Sequence, residues 1–217
     1  AFLDQVHQLN KTLDNLENSF GEIDPLQSSV ADKRAQIERL KNLEEKLRCE
    51  RIELDNLKMK AQQMQSMRQN STAASEAQAI EDRFNKLSTA IKNKLSDREN
   101  QHKDYKTYKA AQDSLAQYMQ RCRDKLHTMR QRSPNDKNYV EAVTQALDHL
   151  LNKEAQGQII CEQVQQAGDI LLAGMVGPAK ESVKNEVKAM IESFITLFDD
   201  IKKQREQMGK IMSVFRD

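Results

Sequence analysis

The stretch ASEAQAIEDRFNKLSTAIKNKLSDRENQHKDYKTYKAAQDSLAQYMQRCRDKLHTMR, residues 74–130, contains no glycine, no proline and no cluster of turn-forming residues. Ala77, Ile80, Phe84, Leu87, Ile91 and Leu95 recur at steps of three and four. Tyr108, Ala111, Leu115, Tyr118, Cys122, Leu126 and Met129 then continue the stripe. That spacing lays apolar side chains along one side of an α-helix. The stretch therefore predicts one unbroken helix from about Ala74 to Arg130, ~85 Å long at 1.5 Å per residue.

Working outward, the same periodicity extends in both directions. Phe2, Val6, Leu9, Leu13, Leu16 and Phe20 form one seam, which Gly21 and the Asp24-Pro25 pair end. Asp24 can cap the next helix, and Pro25 can take its first position, where the missing N–H costs nothing. A second helix is expected to run to about Met67, with Ile37, Leu40, Leu43, Leu47, Leu54, Leu57, Ala61 and Met64 inward. The polar cluster 68–72 breaks it. Beyond the long helix, Ser133-Pro134 repeats the cap-then-proline stop, with Asp136 completing a shortened capping box. A further helix reaches about Leu172, Gly174 and Gly177-Pro178 form a loop, and a last helix carries Val183, Val187, Met190, Phe194, Leu197 and Ile201.

These elements repeat. Leu9, Leu16 and Phe20 match Leu115, Cys122 and Leu126 at an offset of 106. Leu57, Ala61 and Met64 match Val164, Gly168 and Leu171, and Phe84, Leu87 and Ile91 match Ile191, Phe194 and Phe198, at 107. A single amphipathic helix is marginal in water, but three joined by short loops can bury their seams on one another. The reading is all-α, two tandem three-helix bundles joined by a continuous linker helix. Residues 1–104 form the first unit, and 105–217 the second plus the start of a further helix. Units continued through a shared helix stack end to end as a rod, roughly 50 Å per unit. The pattern is running at both ends, as expected of a segment of a longer protein.

A period near 106, three helices per period and a helix shared across the junction resemble the spectrin-repeat family over essentially the whole chain. The best local match is SLAQYMQRCRDKL, residues 114–126. Most such repeats carry a core tryptophan in that helix. Here the corresponding pairs are Thr12-Leu13 and Tyr118-Met119, and the chain has no Trp. That departure points away from spectrin and α-actinin and toward the divergent repeats of giant linkers, nesprins before plakins or dystrophin. The resemblance implies left-handed bundles and a non-catalytic, scaffolding rod of monomeric form. It implies protein partners, cytoskeletal or regulatory and actin-associated among them. The implied place is the cytoplasmic cytoskeleton, with the outer nuclear envelope reached through the parent protein. A BAR-type membrane-binding helical module is the alternative, but it needs no internal repeat.

Composition narrows the chemistry. Charged residues make up 31% of the 217, aromatics only 5%, with six Gly and three Pro, which suits long solvated helices and not a loop-rich enzyme. Net charge is +1, so the chain is no polycation for nucleic acid. Cys49, Cys122 and Cys161 are far apart and odd in number, which fits free thiols in a reducing compartment. The sequons at Asn10 and Asn70 are chance matches on that reading. His7, His102, His127 and His149 show no metal-binding spacing, and Gly174 to Gly177 is too short for a phosphate cradle. No catalytic residue, cofactor or metal is expected. The stretch from Ile159 to Val176 is interrupted by Glu162 and Asp169, so no membrane insertion is expected.

Charge is uneven along the chain. Residues 1–24 hold five acids against one Lys, whereas 92–137 hold twelve Lys or Arg against six acids. Arg121, Arg123, Lys125, Arg130 and Arg132 form the candidate basic surface for an acidic protein partner.

Overall fold

The computed structural model describes residues 1–23, 30–67, 72–129 and 136–216, with side chains from Lys33 onward in the second of these segments. Among them it has seven α-helices and no strand: α1 Phe2–Gly21, α2 Val30–Cys49, α3 Arg51–Ser66, α4 Ala73–Met129, α5 Lys137–Asn152, α6 Glu154–Ala173 and α7 Gly177–Arg216. The chain divides into two compact units, Ala1–His102 and Lys103–Asp217.

The first unit buries the seams of α1, α2, α3 and the first part of α4 in one core. Leu13, Leu40, Leu54 and Ile91 sit at its centre. The second draws on the later part of α4 with α5, α6 and α7, centred on Tyr108, Leu115, Leu147, Phe198 and Ile201. Each fully buried Leu or Ile is worth about 1.5–3 kcal/mol relative to exposure. These seams, not intrinsic helix propensity, hold the helices. α4 itself is unbroken through 57 residues.

Four expectations are corrected. The helix expected to run unbroken to about Met67 is interrupted at Glu50, and the one expected to reach Leu172 is interrupted at Lys153. Both interruptions are one residue long and do not reverse the chain. The Glu50 N–H is shared between the carbonyls of Lys46 and Leu47 (3.3 and 3.1 Å), and its own carbonyl accepts from Leu54 N–H at 3.0 Å. Lys153 donates to the Leu150 carbonyl at 3.0 Å, and its carbonyl accepts from Gly157 N–H at 3.2 Å. The cap of α5 is Asp136 itself, whose Oδ1 accepts from Asn138 N–H at 2.9 Å, because its extended backbone points the carboxylate at the first turn. Finally, Gly177 is not loop but the first residue of α7. Its φ of +74° is one that glycine adopts without strain. Asp24-Pro25, residues 68–71 and Ser133-Pro134 lie outside the described residues.

A cross-helix ionic clamp ties α1 to α4 in the first unit. Arg83 Nε and Nη2 donate to the two oxygens of Glu17 at 2.8 and 2.9 Å. Nη1 reaches Asn10 Oδ1 at 3.2 Å, and Nη2 also bonds Asp14. The carboxylates of Glu17 and then Asp14 raise the Arg83 pKa further above its ordinary value.

The second unit is tied by aromatic packing. The Phe194 and Phe198 centroids lie 4.8 Å apart, and Tyr118 sits 6.3 and 6.4 Å from them. The Tyr118 hydroxyl donates to the Lys153 carbonyl at the α5–α6 interruption. One turn on, the rings rest on bare backbone: a Cβ on Gly157 would fall 2.5 Å from Phe194 Cε2 and 2.6 Å from Tyr118 Cε1. Gly157→Ala is therefore expected to displace both rings and cost about 1–3 kcal/mol, read as a lowered thermal midpoint. Gly21→Ala, where a Cβ meets nothing within 4 Å, is expected to shift stability by less than about 0.5 kcal/mol in the same assay.

Candidate functional site

Among the described residues, no group of three or more His, Cys, Asp and Glu side chains is placed to hold a metal ion, and no helix is long and apolar enough to cross a membrane. Cys122 and Cys161 are buried and unpaired, and burial pushes the Cys161 thiol up to about 11 and Cys122 in the same direction. A thiol held protonated is a poor nucleophile.

The apolar stretch around Ile170 to Val176 divides. Leu171 and Met175 enter the second core, while Ile170 and Val176 face solvent.

Much of the uneven charge is spent inside the units. Asp14 and Glu17 are engaged by Arg83. Lys94 donates to the Ile23 carbonyl at 3.1 Å and lies 4.8 Å from the centre of the Phe20 ring. Arg98 pairs with Asp97 at 3.0 Å, and Lys109 with Glu186 at 3.9 Å. Arg121, Arg123 and Lys125 stand within five residues on the last turns of α4.

Of the five residues expected to form the basic surface, Arg121, Arg123 and Lys125 are described and exposed; Arg130 and Arg132 lie outside the described residues. The three do not share one face. Arg121 and Lys125 are four apart and lie on one flank of the buried seam formed by Tyr118, Cys122 and Leu126. Arg123, two residues from either, projects from the other flank. There it lines a groove against α7 with Glu192, Asp199, Asp200 and Lys203, a mixed setting.

The first flank gains a residue that sequence distance concealed. Lys153, at the α5–α6 interruption, lies close enough to Lys125 and Arg121 for their positive charges to act on it. That cationic contact, Lys125 first, lowers the Lys153 pKa. Among the described residues no ion pair reaches Arg121, Arg123, Lys125 or Lys153. Of the acids beside these residues in the chain, Glu154 is engaged by Lys202 at 3.0 Å, and Asp124 accepts from Gln120 Nε2 at 2.9 Å. Clustered cations without an ion pair set up a local positive potential. Only the fold joins α4 to this turn, so no local motif could have named Lys153.

The chain is similar to "Muscle-specific protein 300 kDa" of Drosophila melanogaster, with 36% identity over 216 residues. The match takes in all of this chain but about 2% of that protein's length. No family model and no solved structure matches the chain. At pH 8, a maleimide or disulfide reagent is expected to label the exposed Cys49 rapidly. Cys122 and Cys161 are expected to react at least about tenfold more slowly until denaturant opens the second unit, as mass spectrometry of the labelled peptides would show.

Proposed function

We propose that this chain is a non-catalytic structural and scaffolding segment of a giant cytoskeletal linker, serving as mechanical spacer and protein-interaction platform. The observation that carries it is α4: one helix, unbroken through 57 residues, supplies Ala77 to Ile91 to one hydrophobic core and Tyr108 to Leu126 to another. On this reading the units are tandem spectrin-like repeats, 1–104 and 105–217, and the helix between them passes load from one to the next. Two separate cores favour this over a single BAR-type helical module.

Further support comes from register. Phe2 and Tyr108 open the cores of their units 106 residues apart, and Phe215 follows Tyr108 by 107. In a tandem array Phe215 would open the core of a further unit. Similarity along the whole chain to a small part of a far longer relative fits the same picture. A nesprin-like role, coupling nucleus to cytoskeleton, is the specific form we propose, with actin-associated proteins among the partners.

Small-angle scattering tests the spacer: the distance distribution should extend to about 100 Å, given ~1.5 Å of rise per residue. A globular profile would sink it. Docking is tested by co-sedimentation with actin filaments. Reversing Arg121, Lys125 and Lys153 to Glu should lower the bound fraction several-fold, whereas Arg123→Glu should leave most of it, and added salt should weaken both.

A further inference from the structure

We infer that the two units are built for unequal strength, so that Ala1–His102 opens first while Lys103–Asp217 stays folded. The inference needs only two units with separate cores; it stands whether or not the linker reading does.

The internal repeat lets the cores be compared position by position. Leu40 and Leu43 of α2 correspond to Leu147 and Leu150 of α5 at the offset of 107, and all four are buried. One turn and two turns earlier the match ends. The second unit places Val140 and Val143 there, 0% and 7% exposed. The first places Lys33 and Gln36, each 5% exposed. Among the described residues these are the two buried charged or amide side chains. Even when a buried polar group is partnered, the contact repays a desolvation that two valines never incur. The weakness sits in the first turns of α2.

A second contrast points the same way. At the register of Tyr118, offset by 106, the first unit has Thr12. The Thr12 hydroxyl donates to the Gln8 carbonyl of its own helix at 3.0 Å and so ties nothing across the unit. The Tyr118 hydroxyl instead crosses to the Lys153 carbonyl, and the Tyr139 hydroxyl fastens α5 to the Met129 carbonyl at the end of α4. Phe194 and Phe198, which complete the aromatic trio, correspond to Leu87 and Ile91. All four tyrosines of the chain lie in the second unit. What the first unit has instead is the Arg83 clamp, whose acids Asp14 and Glu17 are 61% and 40% exposed; ion pairs this open to solvent add little.

Under load or denaturant, the first unit would thus release chain length while the Arg121, Lys125 and Lys153 flank keeps its shape. The test is hydrogen exchange with mass spectrometry on the intact chain at rising denaturant, with thiol labelling in parallel. Peptides of α1, α2 and α3 should lose protection first, with opening at least about tenfold more frequent than in α5 and α6. Cys122 and Cys161 should stay unreactive through that first step. The inference is overturned if the two units lose protection together, if α5 and α6 exchange first, or if either thiol reacts in the first step. The variant V140K/V143Q should raise the opening frequency of the second unit to or above that of the first; an unchanged order would also overturn it. K33V/Q36V should narrow the gap from the other side.

Discussion

The structure depends on the need to bury an apolar seam that no single helix can hide. Each helix shows water a charged surface and keeps one stripe of Leu, Ile, Val, Phe or Tyr that must find partners. For α1 the partners are α2, α3 and the first part of α4; for the later part of α4 they are α5, α6 and α7. The stripe of α4 changes partners without the helix ending, because nothing in its sequence can stop it. Loops, caps and ion pairs then adjust a plan already settled by where the water-avoiding residues fall.

That dependence explains what could be read from the chain alone. Helix type and core membership were legible, since three-four spacing is a direct image of a buried helix face. Leu9, Leu40, Phe84, Leu115 and Val187 all lie where that spacing put them. The interruptions at Glu50 and Lys153 were not legible. Neither carries a glycine or proline, and one-residue departures are set by how the helix seats on its neighbours. The α5 cap moved from Ser133 to Asp136 because capping depends on which backbone is extended at the boundary. The valines of α5 follow the helical rule but came without a motif to draw notice, and Lys33 and Gln36 occupy core positions that a hydrophobic pattern cannot see.

The basic surface was half legible. Residue type and density located it at the end of α4. The angular step of the helix, about 100° per residue, separates Arg123 from Arg121 and Lys125. Lys153 needed the fold, because a partner 28 residues distant in the chain from Lys125 leaves no local signature. Charge bookkeeping by stretch also overstated both ends. The acids of the first helix and several cations of the fourth neutralise or cap groups within their own unit. The cations left unpaired are fewer and better placed than a net charge suggests.

The placement of the tyrosines has one more consequence, and it is optical. The chain contains no tryptophan, and Tyr105, Tyr108, Tyr118 and Tyr139 all belong to the second unit. Tyrosine absorbance and emission therefore arise from that unit alone, while far-ultraviolet dichroism counts the helices of both. The tyrosine signal thus reports on one half and the dichroism on both, so the two together resolve events in either half without any added dye.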